Sequence, residues 1–191
     1  MKVFVSGGCK NGKSYCALRL AKALHVEGGL FYVATMNPVD AEDNDRIERH
    51  RREREGWGFA TVEQPVDIER VLGKCSPGGT FLIDSVTALL FNEMFPAGGR
   101  AAGRAAESPA EKTVGGLVQL MDGVKNIVIV SDYIYSDAIV YGKSTVEYMK
   151  SLASIDCALA KRSDIVIEAA YSNLAAHKGR ELLGELYEKM R

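Results

Sequence analysis

Short apolar segments alternate along the chain with longer segments of helical periodicity or high charge. The short segments are rich in β-branched and aromatic residues and end at glycine or polar residues, which predicts buried strands. The predicted strands are Lys2 to Ser6, Leu30 to Thr35, Phe59 to Glu63, Phe81 to Asp84, Asn126 to Ser131 and Asp164 to Ala170. The predicted helices are Ser14 to His25, Asp40 to Glu55, Val66 to Leu72, Thr87 to Met94, Thr113 to Met121, Ser144 to Lys161 and Arg180 to Met190.

This alternation predicts an α/β fold in which a mostly parallel sheet carries helices on both faces. Right-handed crossovers then bring together the loops at the carboxyl ends of the strands, where ligands bind in such folds. The segment Pro96 to Pro109 is rich in Gly, Ala and Arg and predicts a flexible loop. Because core-forming segments resume on both sides of this loop, we expect residues 1–191 to form a single domain.

The composition excludes several classes of protein. The hydrophobic fraction of 47%, the charged fraction of 26% and the net charge of -1 are ordinary for a soluble domain and argue against a nucleic-acid-binding protein. The four cysteines form no CxxC pair, so neither a disulfide framework nor a zinc site is expected. The first apolar run stops at Ser6, before a signal-peptide core could form, and no run is long enough to span a membrane. We therefore expect a cytoplasmic protein.

The strongest chemical signal is a complete GxxxxGK[ST] phosphate loop between the first predicted strand and helix. Its glycines allow a tight turn that brings backbone N–H groups close to phosphate oxygens, and the helix N-terminus adds further donors. Lys13 is expected to reach the β- and γ-phosphates of ATP or GTP, and Ser14 Oγ to bind Mg²⁺. A chance glycine turn is disfavoured by the strand–loop–helix context. The expected nucleotide-binding residues are Gly7, Gly8, Cys9, Lys10, Asn11, Gly12, Lys13 and Ser14.

A carboxylate at the end of another strand usually completes such a site. Asp84, at the end of the run FLID, is the candidate that would hold Mg²⁺ directly or through water. The alternative is that Asp84 only caps the helix that follows it. Asp132, which follows the run NIVIVS, is a second candidate for the same neighbourhood.

The segment Asp40 to Glu55 is a highly charged helix with a histidine inside it. Glu42, Arg46, His50 and Arg54 are spaced four residues apart and would form one stripe. A neutral imidazole between arginines could attack the α-phosphate of a nucleotide and carry the nucleotidyl group, with the arginines neutralising its charge. Alternatively, the helix is a solvated surface of Glu–Arg pairs and His50 is incidental, which the spacing alone favours.

Taken together, these motifs resemble the bifunctional adenosylcobinamide kinase / adenosylcobinamide-phosphate guanylyltransferase family of cobalamin biosynthesis. The resemblance is carried by the runs VFVSGGCKNGKS, FYVAT and LIDSVTALLFN, and by a D-x-E-x-x-x-R-I-x-x-H pattern formed by Asp40, Glu42, Arg46, Ile47 and His50. The combination of the phosphate loop with the RIxxH helix is specific. It covers about the first half of the chain.

The resemblance implies a RecA-like fold, a homotrimer and two reactions. In the first, a nucleotide γ-phosphate passes to the hydroxyl of the aminopropanol arm of adenosylcobinamide. In the second, His50 accepts GMP from GTP and passes it to the new phosphate, giving adenosylcobinamide-GDP. Lys13, Arg46, His50 and Arg54 are then the expected catalytic residues, with Mg²⁺ on Ser14 and Asp84 and a corrinoid as the acceptor.

The second half of the chain departs from the family pattern. After the NIVIVS strand the family usually continues with Asn-Glu-Val-Gly, whereas this chain has the run from Asp132 to Asp137. Two further hypotheses therefore stay open. The chain could be a P-loop kinase or nucleotidyltransferase for another small acceptor, or a non-catalytic GTP-binding module.

Overall fold

The computed structural model of the protein describes residues 1–38, 41–96, 108–135, 139–171 and 173–189, without the side chains of Glu42 and Arg46. Asp40 of the predicted charged helix lies outside the described residues. So do residues 97–107, which make up most of the predicted flexible loop.

In the described ranges, seven strands form one sheet in the order β3-β2-β4-β5-β1-β6-β7. All neighbouring strands are parallel except β6 and β7, which are antiparallel. The predicted mostly parallel sheet is thus confirmed. The strands are β1 (Lys2–Gly7), β2 (Leu30–Ala34), β3 (Ala60–Glu63), β4 (Thr80–Asp84), β5 (Asn126–Asp132), β6 (Ile165–Ala170) and β7 (Asn173–Lys178).

Helices cover both faces of this sheet, as predicted. On one face, α3, α4 and α5 pack against alternate strand residues such as Phe81 and Ile83. On the other face, α1 and α6 pack against the intervening residues, such as Leu82. The helices are α1 (Lys13–Leu24), α2 (Ala41–Glu53), α3 (Val86–Met94), α4 (Pro109–Gly123), α5 (Lys143–Arg162) and α6 (Arg180–Lys189), with a 3-10 helix at Ile68–Gly73.

The prediction from sequence did not include β7. It also made α4 too short, with Thr113 to Met121 in place of Pro109–Gly123. The β7 segment NLAAHK is an edge strand with mostly exposed or half-buried residues, so it has neither the apolar run nor the β-branched residues that mark the other strands. The α4 helix begins at Pro109 because Ser108 and Glu111 form a capping box, with hydrogen bonds of 3.2 and 2.9 Å between side chain and backbone. In the part of the chain that the structure describes, no helix combines the length and the apolar character that a membrane span requires.

The last residue of β1, Gly7, lies against the neighbouring strand β6. A Cβ atom built on Gly7 would stand 2.5 Å from the backbone carbonyl oxygen of Ala169, closer than real Cβ atoms approach other atoms. A backbone oxygen in the middle of a sheet cannot move aside without disturbing the strand pairing. Glycine is therefore required where the sheet passes into the phosphate loop.

We expect Gly7→Ala to lower the free energy of unfolding by about 1–3 kcal/mol, because the added methyl group forces β1 and β6 apart. Gly184→Ala is the matched control: Gly184 is exposed within α6 and a Cβ there meets no atom within 4 Å. The control should gain about 0.5–1 kcal/mol from the higher helix propensity of alanine. Urea denaturation measures both changes, and equal effects of the two substitutions would contradict the proposed clash.

A carboxylic acid, Asp156 on α5, is buried under the end of β5 with 4% of its surface exposed. The hydroxyl of Tyr135 donates a hydrogen bond of 3.1 Å to its Oδ2. Burial raises the pKa of Asp156 to about 7, with a further increase from Asp132 and a partial offset from the hydroxyls of Ser131 and Tyr135. The folded protein therefore holds a proton on Asp156 at pH values where the unfolded chain has released it.

Because the folded-state pKa of Asp156 is raised, its contribution makes the fold less stable as the pH rises from about 4 to about 7. Asp156→Asn replaces the carboxyl group with an amide of the same shape. Because the amide does not titrate, the variant lacks this contribution. Between pH 5 and pH 7, we expect the unfolding free energy of the variant to rise relative to wild type by about 2 kcal/mol, since one pKa unit corresponds to about 1.4 kcal/mol. Urea denaturation at pH 5, 6, 7 and 8 tests this, and a difference that does not change with pH would contradict it.

Candidate active site

The parallel register brings three loop-bearing strand ends to the same edge of the sheet. Gly7 at the end of β1 pairs with Asp132 at the end of β5. Asp84 at the end of β4 pairs with Val130 on one side and with Ala34 of β2 on the other. The two candidate carboxylates therefore lie at the same edge as the phosphate loop.

The predicted phosphate loop stands between β1 and α1, as the motif requires. Gly12 takes a left-handed conformation with φ of 81° immediately before α1 begins, and Lys10 takes φ of 58°. The carbonyl of Gly12 accepts the first helical hydrogen bond, from the N–H of Cys16 at 3.0 Å. The N-terminal N–H groups of α1 thus point toward the loop, where they can bind an anion.

The ammonium group of Lys13 is almost fully buried beside this loop. Its Nζ donates to the carbonyl of Gly8 at 3.1 Å and lies 2.5 Å from Oδ1 of Asp132. The side chains of Lys13 and Asp132 are 8% and 13% exposed. The lysine that the motif assigns to phosphates is therefore paired with the carboxylate at the end of β5.

A cavity of about 440 Å³ separates the phosphate loop from the charged helix α2. The loop side of the cavity runs from Cys9 to Tyr15, and α2 contributes Asp45, Arg49, His50 and Glu53. His50 thus faces the loop across a space in which phosphates could lie.

His50 also lines a second cavity, of about 660 Å³, together with Tyr32, Arg54 and Asp84. Its Nδ1 lies 3.7 Å from Oδ2 of Asp84, which is beyond hydrogen-bond distance. The hydroxyl of Tyr32 donates to the same Oδ2 at 2.9 Å. Burial, with a contribution from Asp84, raises the pKa of Tyr32 well above its usual value, so the hydroxyl keeps its proton.

Asp84 does not cap α3, because Ser85 does so. The side chain of Ser85 accepts a hydrogen bond of 3.3 Å from the N–H of Ala88. The alternative that the sequence left open for Asp84 is therefore wrong. Instead, the carboxylate of Asp84 contacts Tyr32 and His50 at the mouth of the second cavity.

Arg54 follows the last residue of α2 and is held in place from two sides. Its guanidinium lies 4.0 Å above the ring of Tyr32, and its Nη2 donates to Thr61 Oγ1 at 3.1 Å. Burial lowers the pKa of Arg54 from its usual value, and the neighbouring Tyr32 and Asp84 partly reverse the effect. The side chains of Glu42 and Arg46, the other members of the predicted stripe, lie outside the described residues.

The site contains residues that the sequence did not single out. Arg49 lines the phosphate-loop cavity beside His50, although it lies outside the predicted stripe of residues spaced four apart. Tyr32 lies in the middle of a predicted strand, where an aromatic residue is an ordinary core residue. Only the pairing of β2 with β4 shows that its hydroxyl reaches Asp84.

Within the described ranges, no group of three or more His, Cys, Asp or Glu side chains is arranged to hold a metal ion. Magnesium in nucleotide-binding enzymes needs only one or two protein ligands, because phosphates and waters complete its shell. Ser14 in the first turn of α1 and Asp84 at the end of β4 offer the oxygen ligands that Mg²⁺ prefers. The donor set therefore fits a magnesium ion that arrives with a nucleotide.

Solved structures whose backbones are similar to this one include proteins described as ATPases. The flagellar accessory protein FlaH of Methanocaldococcus jannaschii matches with a TM-score of 0.42 and 11% identity, covering 92% of this chain and 77% of that one. An ATPase from the type III secretion system of pathogenic bacteria matches with a TM-score of 0.48 and 13% identity, covering 96% and 52%. These likenesses are weak and support no statement about activity.

A sequence relative is more informative. The bifunctional adenosylcobalamin biosynthesis protein CobU of Escherichia coli (strain K12) is 35% identical over 101 residues. The match covers 52% of this chain and 53% of the relative, or about half of each. The family model described as cobinamide kinase / cobinamide phosphate guanyltransferase matches residues 3–171. The protein therefore belongs to the cobinamide kinase / cobinamide phosphate guanyltransferase family.

Proposed function

We propose that the chain is a nucleotide-dependent kinase and guanylyltransferase that acts on adenosylcobinamide. It would first form adenosylcobinamide phosphate and then adenosylcobinamide-GDP. The observation that carries this proposal is the position of His50, which lines both the phosphate-loop cavity and the larger cavity at Asp84. Family membership supports the same pair of activities.

The loop residues from Gly7 to Ser14 would bind the nucleotide, as the motif predicts. The backbone N–H groups of the loop and of the α1 N-terminus would surround the phosphates, and Lys13 would exchange Asp132 for the β- and γ-phosphates. Ser14 and Asp84 would hold Mg²⁺, which neutralises phosphate charge when bound.

In the guanylyl transfer, His50 would attack the α-phosphorus of GTP. A nitrogen–phosphorus bond forms, the bond from the α-phosphorus to the α,β-bridging oxygen breaks, and pyrophosphate leaves with that electron pair. Because Asp84 lies on the Nδ1 side of the ring, a proton on Nδ1 would be stabilised there and Nε2 would be the nucleophile. The phosphate of the acceptor then takes the GMP from His50.

The arginines of α2 would neutralise the charge that develops during this transfer. Arg49 shares the phosphate-loop cavity with His50, and Arg54 shares the larger cavity. Contacts with the ring of Tyr32 and with Thr61 Oγ1 hold the guanidinium of Arg54 in place at this cavity. Arg46 also lies on α2, and we propose the same role for it because the family resemblance implies it.

The family resemblance also supports a homotrimer with a corrinoid acceptor, and the sequence features described above support a cytoplasmic location. An alternative is that the kinase step uses a different small-molecule acceptor, because the chain departs from the family pattern after β5. Assaying the purified protein with adenosylcobinamide and with a panel of simple alcohols separates these two versions of the proposal.

We expect incubation with Mg²⁺ and GTP labelled at the α-phosphate to leave acid-labile label on the wild-type protein, as a phosphoramidate would. His50→Ala should lower this label at least about 100-fold, because nothing replaces the nucleophile. His177→Ala is the matched control, since His177 is exposed on β7 and pairs with Glu168 at 2.8 Å. Scintillation counting after gel filtration, with intact mass for one added GMP, reads out the result.

Undiminished label in His50→Ala would contradict the covalent step. If GTP binds tightly to wild type but neither label nor phosphorylated product forms, the chain is a GTP-binding module and the catalytic proposal is wrong.

A further inference from the structure

A third cavity, of about 440 Å³, opens at the carboxyl edge of the sheet beyond the two cavities that His50 lines. Its wall includes Ser85, Thr87, Phe91 and Asn92 from the start and middle of α3, together with Asp132 and Tyr148. This cavity is lined by Asp132 and Tyr148, whereas the two cavities described above are lined by His50. Nothing in the nucleotide-binding roles proposed so far uses it.

Asp132 is fixed in place at the wall of this cavity. Its backbone N–H donates to Thr87 Oγ1 at 2.9 Å, and the hydroxyl of Tyr148 donates to the carbonyl of Thr87 at 2.8 Å. Asp132 is 9% exposed and Tyr148 is 9% exposed. Asp132 is thus held beside the third cavity by contacts among the end of β5, the first turn of α3 and helix α5.

The carboxylate of Asp132 is adjacent to the group that binds the transferred phosphate. Lys13 Nζ lies 2.5 Å from Asp132 Oδ1, and the lysine of a phosphate loop contacts the β- and γ-phosphates. If Lys13 turned to a bound nucleotide, the carboxylate of Asp132, which lines the third cavity, would be released close to the phosphates that Lys13 contacts. A hydroxyl that enters from this cavity would therefore meet a proton acceptor next to its electrophile.

We propose that this third cavity binds the hydroxyl-bearing arm of the alcohol acceptor in the kinase reaction, and that Asp132 accepts the proton of that hydroxyl. The inference rests on the proposed kinase function and adds to it the location of the acceptor and a further catalytic residue. The acceptor oxygen forms a bond to the γ-phosphorus, and the bond from the γ-phosphorus to the β,γ-bridging oxygen breaks. The nucleoside diphosphate leaves with that electron pair, and the hydroxyl proton moves to Asp132.

The cavity mouth also suits an acceptor that is large and partly apolar. The rings of Phe91, Phe95 and Tyr148 form a cluster with centroid separations of 5.1 to 6.5 Å. Phe91 and Phe95 are 48% and 42% exposed, which leaves apolar ring surface beside the opening. Exposed aromatic surface of this kind gains free energy when an apolar ligand covers it. The bulk of the acceptor would therefore lie on α3 while its hydroxyl arm enters the cavity.

The test uses the 191-residue protein with Mg²⁺, GTP or ATP, and adenosylcobinamide. We expect Asp132→Asn to lower kcat for phosphoryl transfer at least about 100-fold, the range that a positioned proton acceptor contributes. The nucleotide Kd should stay within about threefold of wild type, and Asp132→Glu should restore part of the rate. Asp122→Asn is the matched control: Asp122 pairs with Lys2 at 3.1 Å on the surface, so its kinetics should equal those of wild type.

A second variant tests the acceptor location independently of the proton transfer. Phe91→Ala should raise KM for adenosylcobinamide at least about fivefold and leave kcat within about twofold, because it removes binding surface only. An unchanged KM would overturn the placement of the acceptor on α3.

Each of the remaining outcomes would contradict either this inference or the proposed kinase function. If Asp132→Asn keeps kcat within about threefold of an active wild type, Asp132 is not the proton acceptor and this proposal fails while the proposed function stands. If kcat and nucleotide affinity fall together, Asp132 belongs to the nucleotide site, which overturns the inference too. If wild type phosphorylates neither adenosylcobinamide nor any alcohol of the panel, the kinase function itself is wrong.

Discussion

The parallel pairing of β1 with β5, and of β5 with β4, is the constraint on which the rest of the structure depends. This register places Gly7 beside Asp132 and Val130 beside Asp84 at the same edge of the sheet. The phosphate loop can therefore share one neighbourhood with two carboxylates that stand 48 positions apart in the sequence. A shift of one residue in either pairing would turn these side chains to the opposite face and separate them.

Around this edge, the charged helix α2 divides the space into compartments with different chemistry. One compartment places His50 opposite the phosphate loop, and the next places the same histidine beside Asp84 and Arg54. The third contains Asp132 and the aromatic surface of α3. The two transfers proposed above would act at different phosphorus atoms and would need two acceptors, and separate cavities would give each acceptor its own place.

Local sequence signals were sufficient to predict most of the fold and the core of the site. Buried strands, the phosphate loop and the position of Asp84 follow from short patterns whose physical causes are local. The ion pair of Lys13 with Asp132, the hydrogen bond from Tyr32 to Asp84 and the facing of Arg49 toward the loop depend on strand pairing and helix placement. The edge strand β7 was missed because an exposed strand has little apolar pattern to recognise.

The central claim is that the buried ammonium of Lys13, now held by Asp132, binds the phosphates of a nucleoside triphosphate. Isothermal titration calorimetry of GTP and ATP in the presence of Mg²⁺ tests this most directly, with wild type, Lys13→Ala and the exposed-surface control Lys150→Ala. The account predicts binding by wild type and by the control, and an affinity at least about tenfold lower for Lys13→Ala, since a charge-assisted contact of this kind is worth about 1.5–3 kcal/mol. Absence of binding heat for both nucleotides, or an unchanged affinity in Lys13→Ala, would contradict it.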